Sequence, residues 1–118
     1  MKKLVSELSG AELDYWVGMA EEQDFYKPYS GQEIMLVRVG GELMIWNPTT
    51  NPEQAWPIIE RDKISLKSRC LPIKNYGWYA EIEGNYAMTG ETSLIAAMRC
   101  FVASVYGEYV DDQQSNNQ

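Results

Sequence analysis

Near the start of the chain, Leu13, Trp16, Val17 and Ala20 recur at helical spacing, which leaves Asp14, Gly18 and Glu21 on the outward side. This spacing predicts a helix over about 10–22. Ser9 and Glu12 occupy capping-box positions at its start, with Leu8 and Leu13 placed as a hydrophobic staple. After a loop containing Tyr26, Pro28 and Gly31 the period changes to two. The run from Ile34 to Val39 reads as a strand, Gly40-Gly41 as a two-residue turn, and the run from Glu42 to Trp46 as the returning strand. Such a turn sets Val39 against Glu42, Val37 against Met44 and Leu36 against Ile45. Both faces are then largely apolar, so the hairpin is expected to be covered on both sides or to lie at an interface.

The stretch from Asn47 to Pro52 is rich in turn formers and ends the ladder. Pro57 suits the first turn of a short helix reaching about Asp62. Pro72 makes the stretch from Arg69 to Lys74 an edge strand or a loop. Trp78, Ala80 and Ile82 alternate with Tyr79, Glu81 and Glu83, predicting a half-buried strand, and Gly84-Asn85 turns it towards a partner at about 86–88. The last helix is expected over 93–106, with Thr92 as its cap and Gly107 as its terminator. Its wide apolar face carries Leu94, Ile95, Met98, Phe101, Val102 and Val105. The other side has the small residues Ala96, Cys100 and Ala103, so the helix should be buried on more than one side. From Asp111 onward the residues are polar and read as a disordered tail over 111–118.

These elements define an α+β fold in one domain over 1–110. It consists of an N-terminal helix, an antiparallel hairpin, a short helix, further short antiparallel strands and a buried C-terminal helix. A chain of 118 residues can bury such a core unaided. Its apolar runs are too short for a membrane span, and Met1 to Glu7 lacks the apolar segment of a signal peptide. Two cysteines, Cys70 and Cys100, read as reduced thiols, with a single bridge between them as the alternative. A cytoplasmic protein without membrane association is therefore expected.

The net charge of −7 argues against general nucleic-acid binding. Between Arg61 and Lys74, however, five cations face the single acid Asp62, a local charge of +4 in a chain whose remainder carries −11. That stretch is either a solvated basic edge or a local anion site. The chain has no histidine, so the commonest general base near neutral pH and the usual nitrogen ligand for zinc are missing. It also has no phosphate-binding glycine loop and no nucleophile elbow. Glu81 with Glu83 reads as a solvent-facing strand surface, and Cys100 as a small core residue. No catalytic residue, cofactor or metal is expected, and an enzyme is the weaker class.

Two groupings remain. Trp46, Thr49, Thr50 and Asn51, running toward Trp56, combine aromatic faces with hydroxyl and amide groups suited to a polar small molecule, or simply form a turn flanked by core tryptophans. Arg99 on a buried helix needs a carboxylate or carbonyl partner. Glu60 is the expected one, in a structural ion pair with Arg61 turned outward. Alternatively, Arg61 and Arg99 are held ready for an anionic ligand.

Three blocks resemble the NinX-like family of phage and prophage proteins, a family of uncharacterised function. They are the opening from Ser6 to Val17, the segment from Trp56 to Leu66 with its Pro57-Ile58-Ile59-Glu60-Arg61 core, and the C-terminal run from Ser93 to Ser104. Before Pro57 the family tends to carry a Ser-Thr-Asp-Trp-Ala-Gln-Gly-Gly run, whereas this chain reads Thr49-Thr50-Asn51-Pro52-Glu53-Gln54-Ala55-Trp56. The resemblance implies a temperate-phage accessory protein acting inside an infected bacterium, and it carries over no activity. The resulting expectation is a non-catalytic binding module acting on a host or phage protein. A binder of an anionic, nucleotide-like small molecule used in counter-defence is the alternative. A homodimer is also expected, formed through the hairpin or through the small-residue side of the last helix.

Overall fold

The computed structural model describes residues 2–26, 34–68 and 77–111. The expected loop around Pro28 and Gly31, the stretch from Arg69 to Lys74 with Cys70 and Pro72, and residues 112–118 lie outside them. Among the described residues the order is β1 (Lys2–Leu4), a 3-10 turn (Val5–Glu7), α1 (Gly10–Ala20), β2 (Asp24–Phe25), β3 (Leu36–Val39) and β4 (Glu42–Ile45). There follow α2 (Pro52–Asp62), β5 (Ser65–Ser68), β6 (Trp78–Glu81), β7 (Ala87–Gly90), α3 (Ser93–Tyr106) and β8 (Tyr109–Asp111). The strands form three antiparallel sheets, β1-β8, β2-β3-β4 and β5-β6-β7, so the α+β class is borne out.

The central element is α3. Thr92 Oγ1 accepts the Ile95 amide at 3.1 Å, and Gly107, at φ 92°, ends the helix by donating its amide to Ala103 O. Helix α3 packs against β6 and β7 on one side and α1 and α2 on others. Ala96, Ala97, Met98, Cys100, Val102 and Ala103 are all fully buried. The small-residue side is thus consumed inside the chain, which leaves the hairpin as the element able to carry the expected dimer.

The hairpin register matches the expected one at Leu36–Ile45, Val37–Met44 and Val39–Glu42. Gly40 and Gly41 both take positive φ, 58° and 87°, as a type I′ turn requires. The outer strand β2, which pairs Asp24 with Arg38 and Phe25 with Val37, carries too short a pattern to be seen in the sequence.

Several expectations are corrected. Helix α1 begins at Gly10 (φ 57°), but Ser9 makes no side-chain cap bond, and Glu12 is taken by Lys3 of β1 instead. The capping box is therefore not formed. Asp14 and Gly18, expected outward, are buried, because the hairpin end covers the side of α1 turned away from α3. Helix α2 starts five residues earlier than expected. Asn51 Oδ1 caps it by accepting the Glu53 amide, Pro52 takes the first-turn position, and Pro57 sits inside the helix. Asp111, expected to open the tail, pairs with Lys2 and closes β8.

Candidate functional site

Trp46 and Thr49 enter the structure through one residue of α1. The Trp46 indole N–H donates to the Asp14 carbonyl at 2.8 Å, and the Thr49 amide donates to Asp14 Oδ1 at 2.8 Å. The Thr49 hydroxyl also bonds the same carboxylate. Gly18, one turn further along α1, makes room for this docking. A Cβ built on Gly18 would come within 2.8 Å of Trp46 Nε1 and would clash with Phe25 Cζ. From the other side, Gln54 Oε1 accepts the Asn47 amide, and its Nε2 donates to Ile45 O at 2.6 Å, lashing α2 to the end of β4. Thr50 bonds back to Asn47 O, and Asn51 is occupied as the α2 cap.

This docking leaves a groove of about 410 Å³ between the first turns of α1 and the open end of the hairpin. Gly10, Ala11 and Asp14 form the helix side, and Ile34, Met35, Ile45, Trp46 and Asn47 the hairpin side. Among the described residues Asp14 is its one charged lining residue. Its side chain is buried, and burial pushes its carboxyl above the usual aspartate value of 3.8, against the lowering effect of the two Thr49 bonds.

Beyond the groove, the outer face of the β2-β3-β4 sheet is turned to solvent. Residues directly opposite in an antiparallel pair share a face, so Leu36 with Ile45, and Asp24 with Arg38 and Leu43, form rows on one side. Ile34 is 69% exposed, Ile45 52% and Leu43 45%. The Arg38 guanidinium lies 5.3 Å from the centre of the Tyr26 ring.

The two arginines are engaged elsewhere. Arg61 bonds Glu21 at 2.7 Å and Asp62 at 2.9 Å, and it lies 5.5 Å from the centre of the Phe101 ring, where the ends of α1 and α2 meet α3. It is turned outward, as expected, with its side chain about half exposed, but it is paired with these two acids. Arg99 Nε donates to Leu8 O and its Nη1 to Thr89 O, both at 2.8 Å. The Glu60 carboxylate accepts the Trp56 indole N–H instead, one turn away on α2. The expected Glu60–Arg99 ion pair is thus replaced by backbone carbonyls on one side and a local helix contact on the other. Neither the groove nor a second depression of about 310 Å³ beside β8 is lined by Thr50, Asn51, Arg61 or Arg99. The Cys100 thiol is buried, donates to Tyr86 O, and is pushed up to about 11 by burial, which keeps it protonated at neutral pH.

With this geometry in view, the comparison with known families is decisive on one point. A family model described as bacteriophage P22, NinX matches residues 4–105. The chain belongs to that family. No curated protein matches it. The NinX match takes in α1, the hairpin, the groove and α3, so the groove is part of the family-matched body. Membership makes this a phage protein. Within the matched residues, the segment from Thr49 to Trp56 buries Thr49 against Asp14 and starts α2. No described helix is long and apolar enough to cross a membrane.

Asp14 has a testable consequence for stability. With its folded pKa raised, the native state holds a proton that the unfolded chain has lost across the window just above 3.8, so stability falls as pH rises through that window. Asparagine can accept the Thr49 amide and donate to the Thr49 hydroxyl without carrying charge. Asp14→Asn should therefore be at least as stable as the parent at pH 7 and should lose this decline. Urea titrations at pH 4 and pH 7 measure both effects, and a variant markedly less stable at pH 7 would contradict them.

Proposed function

We propose that this NinX-family chain is a non-catalytic binding module that presents the outer face of the β2-β3-β4 sheet to a host or phage protein. The supporting observation is the exposure of Leu43 and Ile45 on one face of β4, with Ile34 exposed just ahead of β3; among the described residues β4 is an edge strand. Contiguous apolar surface of this kind on a soluble domain marks an interaction site. Apart from Ile45 O, which Gln54 takes, the edge of β4 adds backbone groups for a partner to use. The sequestration of an anionic small molecule receives less support, because Arg61 and Arg99 are spent on internal partners.

Leu43→Glu tests this reading with little risk to the fold, since the new carboxylate would face Arg38 across the ladder. Tagged protein recovered from phage-infected cells should bring down a partner, and Leu43→Glu should reduce that recovery at least ten-fold with an unchanged melting curve. Undiminished recovery would refute the sheet-face reading. A second copy is the competing occupant, as in the homodimer expected from the sequence. Sedimentation at tens of micromolar distinguishes the two, because a monomer leaves the face for a foreign protein.

A further inference from the structure

Asp14 is the only charged residue among the buried positions of the described chain, and only part of its bonding capacity is used. Both of its hydrogen bonds come from Thr49, whereas a carboxylate offers about four acceptor sites. Among the described residues no lysine or arginine pairs with it. A buried carboxylate without a counter-ion is costly, and the structural task of holding Thr49 could be done by an uncharged asparagine. The charge is therefore surplus to the fold.

What lies against Asp14 is the groove. On one side Gly10 and Ala11 form a low wall that lets a ligand approach the helix backbone closely. On the other, Ile34 and Ile45 offer aliphatic surface that is more than half exposed. The size, about 410 Å³, fits one extended side chain or a small organic molecule. Among the described residues no cation lines the groove, and the protein's net charge of −7 favours the approach of positive groups. Ile45 also belongs to the outer sheet face, and Ile34 stands just ahead of β3, so the groove opens at the edge of the surface assigned above to a partner.

We infer that the groove seats a cationic side chain on an aliphatic stem, a lysine or arginine of the partner protein, whose charge meets Asp14 while its stem lies between Gly10-Ala11 and Ile34-Ile45. This deepens the sheet-face reading and rests on it for the source of the cation. The chemistry of the seat itself can be tested without any partner.

The probe is isopentylammonium chloride, with the uncharged isopentanol as its isostere, followed through the Trp46 indole N–H resonance, whose donor bonds the Asp14 carbonyl. In the parent protein the amine should bind at least ten-fold more tightly than the alcohol. Asp14→Asn should abolish that preference. Ala11→Lys, which supplies a cation from the exposed wall of the groove, should abolish it independently while leaving the fold intact. Equal binding of amine and alcohol in the parent, or an amine preference that survives both substitutions, would overturn the seat. Leu43→Glu lies outside the groove and should keep the amine preference, so loss of the partner by that variant is scored separately. Partner recovery from infected cells should also drop at least ten-fold in Asp14→Asn. An amine preference that is present in the parent and lost in Asp14→Asn, with partner recovery unchanged in that variant, would overturn the assignment to a partner side chain.

Discussion

Gly90→Ala is expected to destabilise the protein by about 3 kcal/mol, the upper end of what overpacking a core usually costs. Gly90 is buried at the end of β7, two residues before the cap of α3. A Cβ there would stand 2.7 Å from the Ala96 amide nitrogen, 3.0 Å from Ile95 Cγ2 and 3.1 Å from Ala96 Cα. Two of these atoms are helix backbone and cannot swing aside as a side chain could. Relief requires moving the first turn of α3 off the sheet, and α3 carries much of the core on every side. Replacing glycine by alanine in a permissive strand would gain only about 0.4–1 kcal/mol through the unfolded chain, too little to offset that displacement. Urea denaturation of Gly90→Ala should show the loss, and a change below 0.5 kcal/mol would mean that α3 shifts freely. Gly84→Ala is the natural control. No atom lies near its would-be Cβ, so its cost should be limited to the strain of its positive φ, about 1–2 kcal/mol.

The contrast between α3 and the rest of the chain shows which signals were local. Thr92, the apolar spacing and Gly107 all act within one helix, and the observed bounds Ser93–Tyr106 coincide with the expected ones. Gly40-Gly41 likewise sets the hairpin register over a few residues. Strands β1 and β8 have no such signal. Each is three residues long, and the partner of Lys2 lies at Asp111, at the far end of the chain. For α2 the necessary chemistry was present, because Asn51-Pro52 is a cap followed by a first-turn proline. The second proline, Pro57, drew the start toward itself.

The candidate site was legible in part. Trp46 lines it, and Thr49 only holds the Asp14 carboxylate from behind, whereas Thr50, Asn51, Arg61 and Arg99 have no part in it. Asp14 was missed because a single apolar stripe assigns a helix one buried side, and the second side of α1 is buried only when the Trp46 turn docks on it. A glycine at position 18, one turn after Asp14, was the available clue. It marks where the helix surface lies low enough to receive an indole.

Arg99→Met is expected to cost about 3 kcal/mol, roughly 10 °C in Tm for a chain of this length. The guanidinium donates to Leu8 O, just ahead of α1, and to Thr89 O in β7, two carbonyls 81 positions apart in sequence that α3 holds together. Bonds from a charged donor are worth about 1.5–3 kcal/mol each, and methionine would fill the volume while leaving both oxygens without this donor. The sequence required a partner for this arginine, and the structure supplies main-chain oxygens where a carboxylate was expected. That difference changes the mutational signature. Glu60 bonds Trp56 at the exposed surface, so Glu60→Gln should change stability by less than 0.5 kcal/mol and should be additive with Arg99→Met. Arg99→Lys should recover less than half of the loss, because an ammonium is a compact point charge that cannot span two carbonyls as a planar fork does. Thermal and urea unfolding of the four variants measures this directly. Full rescue by lysine, or coupling between positions 60 and 99, would show that charge and not the fork geometry holds α1 and β7 against α3.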